Sequence, residues 1–189
     1  AAALERLDDR VLLHAYLQTE FTRQWDAVRA YAHAHGVRII GDLPMYVAPD
    51  SADVWAQPGQ FCLDPDGQPS AVAGVPPDYF SADGQLWGNP LYDWEYHKKT
   101  GYDWWILRIG YSYRLYDIVR VDHFRGFEAY FSIPYGDETA VNGHWEKGPD
   151  FELFAAMKMK LGKKEMIAED LGVITPPVRK MIKKCGYPG

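Results

Sequence analysis

The sequence predicts an α/β fold that forms part of a (β/α)8 barrel of the TIM type, with long loops after its strands. Three short apolar segments alternate with segments of helical periodicity, an order typical of a parallel sheet with helical crossovers. No Gly-rich phosphate-binding turn follows any of these segments, and each ends in an acidic residue: Asp42, Asp122 and Glu169. Because barrels collect such side chains at the carboxyl ends of several strands, the pattern favours a barrel over an open doubly wound sheet.

The first predicted element is a helix from Leu4 to Ala34, where apolar residues recur at steps of three and four. It is predicted as one long helix or as two abutting helices, and Gly36 is placed to cap its end. Residues 37–41 follow as a short β-branched strand, which ends at residues 42–44.

Residues 45–94 are predicted to form a Pro- and aromatic-rich excursion that covers a functional site. They contain more than half of the thirteen prolines and show almost no sustained periodicity. A loop of this length inside a compact domain is usually functional. Residues 1–189 as a whole are predicted to form one incomplete barrel domain, since a complete barrel needs about 250 residues.

The second half of the chain continues the alternation of helices and strands. Predicted in chain order are a helix at 102–115, a strand at 117–122, an irregular stretch at 134–149, a helix at 151–161, a strand at 165–169 and a last helix that ends near Cys185. For this last helix, Thr175 is the predicted N-cap and Pro176 the first helical residue.

Composition and charge exclude several classes of protein. The net charge is −6 and the basic residues are scattered, so nucleic acid is not an expected partner. The apolar fraction of 47% is enough for a core, yet no uncharged apolar run approaches the roughly 20 residues that span a bilayer, so no membrane association is expected. The two cysteines, Cys62 and Cys185, lie far apart and form no CxxC pair, which fits a reducing cytoplasm.

Arg120 and Asp122 carry the strongest local indication of chemistry. Side chains at positions i and i+2 of a strand share a face, so the guanidinium should lie beside the carboxylate and keep it ionised. An ionised, oriented aspartate can attack an electrophilic sugar carbon. The pattern leaves open the alternative of an ordinary structural ion pair.

Glu169 follows apolar residues at the end of a strand, where partial desolvation would leave a carboxyl proton available for general acid catalysis. The alternative is a carboxylate that caps a helix or anchors a loop. One charged and one protonated carboxyl group together match the arrangement of a retaining glycosidase. The pair is therefore more informative than either residue alone.

Aromatic residues give a third indication. Tyr79, Phe80 and Trp87 lie among Gly, Pro, Ser and Asp, so a loop should keep them near solvent, where flat rings can pack against the C–H faces of sugars. Trp105 and Tyr113 lie at helical spacing and are predicted to pack in the core.

A metal site is only weakly indicated, and no metal or other cofactor is predicted. The candidate ligands are Asp42, Asp122, His123, Glu169 and Asp170. They show neither HxH nor HExxH spacing. Three further histidines, His33, His35 and His97, are predicted to be solvated positions on helices.

Four long segments, in order, resemble one enzyme family. They are GDLPMYVAPDSADVW (41–55), VAGVPPDYFSADGQLWGNPLYDW (72–94), VRVDHFRGF (119–127) and MIAEDLG (166–172). Together they resemble the amylomaltases, also called disproportionating enzymes or 4-α-glucanotransferases, of the α-amylase superfamily. The resemblance covers about residues 21–189.

The resemblance implies a (β/α)8 barrel whose third, fourth and fifth strands end at Asp42, Asp122 and Glu169. It implies that Asp122 is the nucleophile and Glu169 the acid/base of a retaining transfer of α-1,4-glucan segments between malto-oligosaccharides, without a metal. The residues that it implies for substrate binding are Asp42, Tyr79, Phe80, Gln85, Trp87, Arg120 and His123.

The family places a third catalytic carboxylate in a His-Asp motif on a later strand, after the region represented by residues 1–189. These residues alone are therefore expected to be inactive. Two alternatives stay open: an α-glucan hydrolase on the same barrel, and a non-catalytic glucan-binding fragment. The oligomeric state is not predicted.

Overall fold

The computed structural model describes the backbone of residues 2–189 and the side chains of residues 6–189. The helices are α1 (Ala2–Ala34), α2 (Ala52–Ala56), α3 (Trp94–Lys99), α4 (Asp103–Leu115), α5 (Phe151–Leu161) and α6 (Pro176–Cys185). The strands are β1 (Ile40–Leu43), β2 (Ala71–Val75), β3 (Gln85–Pro90), β4 (Ile118–Val121), β5 (Ala129–Pro134), β6 (His144–Lys147) and β7 (Met166–Ala168). Two 3-10 turns lie at Pro58–Gln60 and Phe124–Phe127. The predicted α/β class is confirmed.

The N-terminal segment is one helix, α1, and Gly36 adopts a positive φ of +72° just after it. Leu4, where the predicted helix begins, lies before the first residue whose side chain the structure describes. The helix is attached near its end, where Trp25 Nε1 donates to the Leu115 carbonyl at 2.9 Å. Much of the apolar side of α1 is nevertheless exposed, as at Val11 and Tyr16.

The three predicted strands form a parallel sheet in the order β1–β4–β7. The first strand begins later than predicted, at Ile40, and contains Asp42 rather than ending before it. One face of the sheet is buried in the same core as α4 and α5, through Leu43, Val119, Val121, Met166 and Ala168. The opposite face carries Ile40, which is 55% exposed, and the cross-strand neighbours Asp42 and Arg120.

Residues 45–94 are not irregular throughout, contrary to the prediction. They contain α2, β2 and β3, and the predicted irregular stretch at 134–149 contains β6. These strands join β5 in an antiparallel sheet of order β3–β2–β5–β6. At Gly74 in β2, an added Cβ would lie 2.2 Å from the Gln85 carbonyl oxygen, so glycine allows the two strands to approach closely.

The predicted core packing of Trp105 is confirmed, because its side chain is fully buried. Tyr113 is only half-buried. The prediction for His97 is wrong: the side chain has no exposed area, burial lowers its pKa to about 4, and its Nε2 lies 3.0 Å from the Gln60 carbonyl oxygen. Thr175 precedes α6 as predicted but makes no side-chain capping bond. Among the described residues, no helix combines the length and apolar character needed to cross a bilayer.

Candidate active site

The predicted acidic residues meet at the carboxyl end of the parallel sheet. The Asp122 N–H donates to the Leu43 carbonyl at 3.0 Å, and the Glu169 N–H donates to the Val121 carbonyl at 3.1 Å. The strand ladder thus continues by one residue past β4 and β7. It fixes the backbones of both acidic residues at neighbouring positions on one edge.

Arg120 connects two of the carboxylates. Its Nη1 lies 2.7 and 2.9 Å from the two oxygens of Asp42, and its Nη2 donates to Asp122 Oδ1 at 3.2 Å. The predicted i, i+2 pairing is therefore present, but the closer partner of the guanidinium is Asp42. Among the described residues, Asp122 Oδ2 has no hydrogen-bond partner. Asp122 consequently offers one oriented oxygen to the solvent side of the sheet.

Both oxygens of Glu169 accept main-chain hydrogen bonds. His123 N–H donates to Oε2 at 2.9 Å, and Leu171 N–H donates to Oε1 at 2.7 Å. The side chain is half-buried. The setting thus differs from the simple apolar environment expected from the preceding strand residues, because backbone donors orient both carboxyl oxygens.

His123 makes the turn between β4 and the 3-10 segment in a left-handed conformation, with φ +49°. Its imidazole Nε2 is buried without a hydrogen-bond partner in the described part of the chain. Burial, with a smaller effect of the nearby Arg125 charge, lowers the His123 pKa to about 4. The ring is therefore neutral at pH 7, and it makes an edge contact with Trp87 at 4.8 Å between ring centres.

A cavity of about 260 Å³ lies above these groups, between the two sheets. Six of the sequence-predicted residues line it: Gln85, Trp87, Arg120, Asp122, His123 and Glu169. Trp87 Nε1 donates to Gln85 Oε1 at 3.0 Å, which holds the two β3 side chains together. Asp42 is joined to this group through Arg120 rather than by lining the cavity.

Tyr79 and Phe80 do not line this cavity. They are 98% and 93% exposed and pack edge to face against each other, with ring centres 5.7 Å apart. Their turn is fixed by Asp78, whose Oδ1 accepts the Phe80 and Ser81 N–H groups at 2.8 Å. Asp78 itself lines the cavity, so the aromatic pair projects from its rim.

Sequence reasoning missed Arg125 and Trp145, which also line the cavity. Arg125 is close to Asp122 in the chain, and that proximity within one motif could have identified it. Trp145 lies on β6, a strand that was not predicted, and had no local signal.

In the described residues, no group of three or more His, Cys, Asp or Glu side chains is arranged to hold a metal ion.

Comparison with known proteins gives a consistent result. A family model described as 4-alpha-glucanotransferase matches residues 1–189. Curated 4-alpha-glucanotransferases from Synechocystis and Streptococcus pneumoniae are 54% and 51% identical over 187 and 185 residues, in each case 98% of this chain and 37% of the relative. The chain thus spans little more than a third of the length of these relatives.

A solved structure, the amylomaltase from Streptococcus agalactiae in complex with acarbose, matches with a TM-score of 0.97 at 46% identity. The match covers 100% of this chain and 38% of that one. The sequence match and the structural match agree over the full set of residues. The chain therefore belongs to the 4-alpha-glucanotransferase family.

Proposed function

We propose that this chain carries the nucleophile and the acid/base of a 4-α-glucanotransferase, which transfers α-1,4-glucan segments between malto-oligosaccharides. The observation that carries the proposal is the arrangement of two carboxylates at one sheet edge. One oxygen of Asp122 accepts a hydrogen bond from Arg120, and the other has no partner within the described part of the chain. Glu169 follows the neighbouring strand with both oxygens oriented. The names of the relatives and the acarbose in the matched structure support this substrate class.

The reaction is a double displacement. Asp122 attacks the anomeric carbon of the donor while Glu169 gives a proton to the glycosidic oxygen that leaves. Glu169 then removes the proton from the 4-hydroxyl of an acceptor sugar, whose oxygen displaces Asp122 from the anomeric carbon. Proton transfer by Glu169 would contribute a factor of roughly 10² to 10⁴ to the rate. In the substrate complex we expect the two carboxyl groups to lie about 5 to 5.5 Å apart, as in retaining enzymes.

The substrate-binding roles follow from position around the cavity. Arg120 and His123 lie beside Asp122, where the sugar that reacts must bind. Gln85 and Trp87 form the opposite wall and would hold the acceptor, which must displace water from the glycosyl enzyme. The exposed rings of Tyr79 and Phe80 at the rim would contact more distant sugars, and Asp42 would act through Arg120.

We also propose that the parallel sheet is part of a (β/α)8 barrel. The strands β1, β4 and β7 would be its third, fourth and fifth strands, with residues 45–94 extending over the cleft. Two features support this: the outer edges of β1 and β7 have no neighbouring strand among the described residues, and the sheet face at Ile40 is exposed. Closure of a barrel would cover both.

A cytoplasmic location is part of the same proposal. Cys62 and Cys185 are both free thiols in the structure. Unpaired cysteines are typical of proteins in a reducing compartment.

Product analysis with maltotriose tests the activity. It uses a completed enzyme, by which we mean this chain joined to the flanking segments of a full-length relative such as that of Synechocystis. Longer oligosaccharides together with glucose are expected. Glucose and maltose alone would indicate a hydrolase, and an absence of products would indicate a glucan-binding protein.

A further inference from the structure

Arg125 is a buried cation that the reaction described above does not use. It lies in the 3-10 turn at Phe124–Phe127 and is only 4% exposed. Its guanidinium lies on the ring of Trp145, 3.8 Å from the ring centre, and its nearest carboxylate oxygen, on Glu128, is 4.0 Å away. Its Nε is buried without a partner in the described part of the chain. Burial of a charged group with so few partners costs free energy. The contacts of the guanidinium therefore do not by themselves explain why an arginine is buried at position 125.

Among the residues that the structure describes, the guanidinium makes one hydrogen bond, which is to the segment that follows Glu169. Arg125 Nη1 donates to the Val173 carbonyl at 3.1 Å. Leu171 and Val173 are 73% and 49% exposed, so packing does little to hold this segment. Within the described residues, the bond from Arg125 is the only hydrogen bond that ties residues 170–174 to another element.

The same segment supplies one of the two donors on Glu169. Leu171 N–H donates to Glu169 Oε1 at 2.7 Å. The carbonyl of Val173, two residues further along the chain, accepts the hydrogen bond from Arg125. The other oxygen is held by His123 N–H, two residues before Arg125 in the chain. Arg125 thus connects the two backbone segments that hold the two oxygens of Glu169.

We propose that Arg125 is a positioning residue for Glu169: by fixing residues 170–173 against the cavity wall, it keeps the Leu171 N–H on the carboxyl group. This inference rests on the proposed role of Glu169 as the acid/base. A general acid must lie within hydrogen-bond reach of the leaving oxygen, and a small displacement lowers the rate strongly. Arg125 does not need to contact the substrate for this role.

The test uses Arg125→Met in the completed enzyme and compares two donors. Maltotriose has a poor leaving group that needs a proton, whereas α-maltotriosyl fluoride needs little help from an acid. We expect kcat for maltotriose to fall about tenfold or more, with a smaller change in KM, because misplacement removes part of the acid/base factor. The rapid first release of fluoride, followed in a stopped-flow experiment, should stay within about threefold of the parent value, because Asp122 still attacks.

Two further variants and one control make the result decisive. Arg125→Lys keeps the charge and one donor and should recover part of the lost activity, whereas Arg179→Met, on an exposed surface of α6, should change neither rate. Gly172→Ala strains the same segment, where φ is +79°, without removing the cation, so it should show the same difference between donors even if Arg125→Met does not fold.

The inference is overturned if Arg125→Met and Gly172→Ala leave maltotriose turnover unchanged, or if they reduce both donors equally. Glu169→Gln tests the proposed function separately, since it should lose maltotriose turnover and keep the fluoride burst. Loss of both reactions in Glu169→Gln would contradict the acid/base role itself. If Glu169→Gln loses maltotriose turnover and keeps the fluoride burst as expected, while Arg125→Met matches the parent enzyme, only the positioning role is contradicted.

Discussion

Arg120 divides its hydrogen bonds unequally between two carboxylates, and this division suits a nucleophile. The bonds to Asp42, at 2.7 and 2.9 Å, set the orientation of the guanidinium, whereas Asp122 receives one longer bond at 3.2 Å. Asp122 is therefore oriented while its second oxygen stays available. A carboxylate held by both oxygens would have to break an ionic bond before it could attack.

The assignment of the two carboxylates predicts different results for their amide variants. In the completed enzyme, Asp122→Asn should abolish turnover, because a neutral amide cannot form the glycosyl ester. Glu169→Gln should accumulate a glycosyl enzyme from α-maltotriosyl fluoride, since the first step then needs no acid. Mass spectrometry of a peptide digest should find the sugar on Asp122. An adduct on any other residue would show that the nucleophile is wrongly assigned.

The contacts of these residues differ in how far the sequence could predict them. The pairing of Arg120 with Asp122 depends only on the two-residue repeat of a strand, which the sequence displays. The donors to Glu169 are main-chain N–H groups, one of them from His123, 46 positions away, and backbone groups leave no residue-type signal. The motif position of Arg125 was visible in the sequence, whereas its contact with Trp145 was not, because Trp145 lies on an unpredicted strand.

His97 predicts a pH dependence of stability. Its pKa is about 4 in the folded protein against an ordinary value of 6.5, so the unfolded chain binds more protons between these values. Stability should therefore fall as the pH decreases from about 6.5 towards 4, by at most about 3 kcal/mol from this residue. In the completed enzyme, thermal melts at pH 7 and 4.5 should differ less for His97→Gln, which keeps a donor for Gln60, than for the parent.

His123 should contribute to acid sensitivity in the same direction, since its pKa is also lowered to about 4. The exposed His35 provides the control for the substitution itself, and His35→Gln should change the melting temperature at pH 7 less than His97→Gln does. Equal acid sensitivity in the parent and in His97→Gln would show that this buried histidine does not govern the effect.

At the scale of elements, the longer helices and the parallel strands were predictable, whereas the short helices α2 and α3 and the antiparallel sheet were not. The bounds of α5 and α6 follow from local signals, namely amphipathic spacing and a proline at the first position. The strands β2 and β3 contain glycine or proline, and their mutual register is irregular near Gly74. The other partner of β2 is β5, some sixty residues away. Such strands depend on partners that are distant in the chain, so local alternation does not reveal them.

The close approach of β2 and β3 predicts a large effect of one methyl group. In Gly74→Ala the new Cβ would lie 2.2 Å from the Gln85 carbonyl and 2.4 Å from the Ile133 side chain. The free energy of unfolding should fall by about 1–3 kcal/mol. Because β3 carries Gln85 and Trp87, KM for maltotriose should rise as well. Chemical denaturation and steady-state kinetics of the completed enzyme measure the two effects.

Gly110→Ala in α4 is the matched control, because its Cβ would meet only Leu161 at 3.4 Å. Alanine favours a helix interior over glycine, so this variant should be unchanged or up to about 1 kcal/mol more stable. If Gly74→Ala behaves like Gly110→Ala, the two strands can separate without cost, and their close approach at Gly74 does not stabilise the sheet.

In the whole molecule, two sheets of opposite kinds build one cavity. The parallel sheet supplies the two proposed catalytic carboxylates, Asp122 and Glu169, at the ends of strands held in register by their neighbours. The antiparallel sheet supplies Gln85 and Trp87 from β3 and Trp145 from β6. The proposed catalytic groups and the proposed acceptor-binding wall thus belong to separate sheets. Substitutions in the second sheet should therefore alter acceptor use more than the first displacement.

The last prediction concerns these 189 residues expressed alone, which we expect to show no glucanotransferase activity. The strands β1 and β7 lie at the edges of their sheet, and the face at Ile40 and much of α1 expose apolar side chains. Unpaired edges and apolar faces favour association between copies, so the isolated chain should be oligomeric in size-exclusion chromatography. Adding the flanking segments of the relative as separate chains should restore some turnover of maltotriose, since they would close the sheet over the carboxylates. Robust disproportionation by the purified chain alone would contradict this dependence.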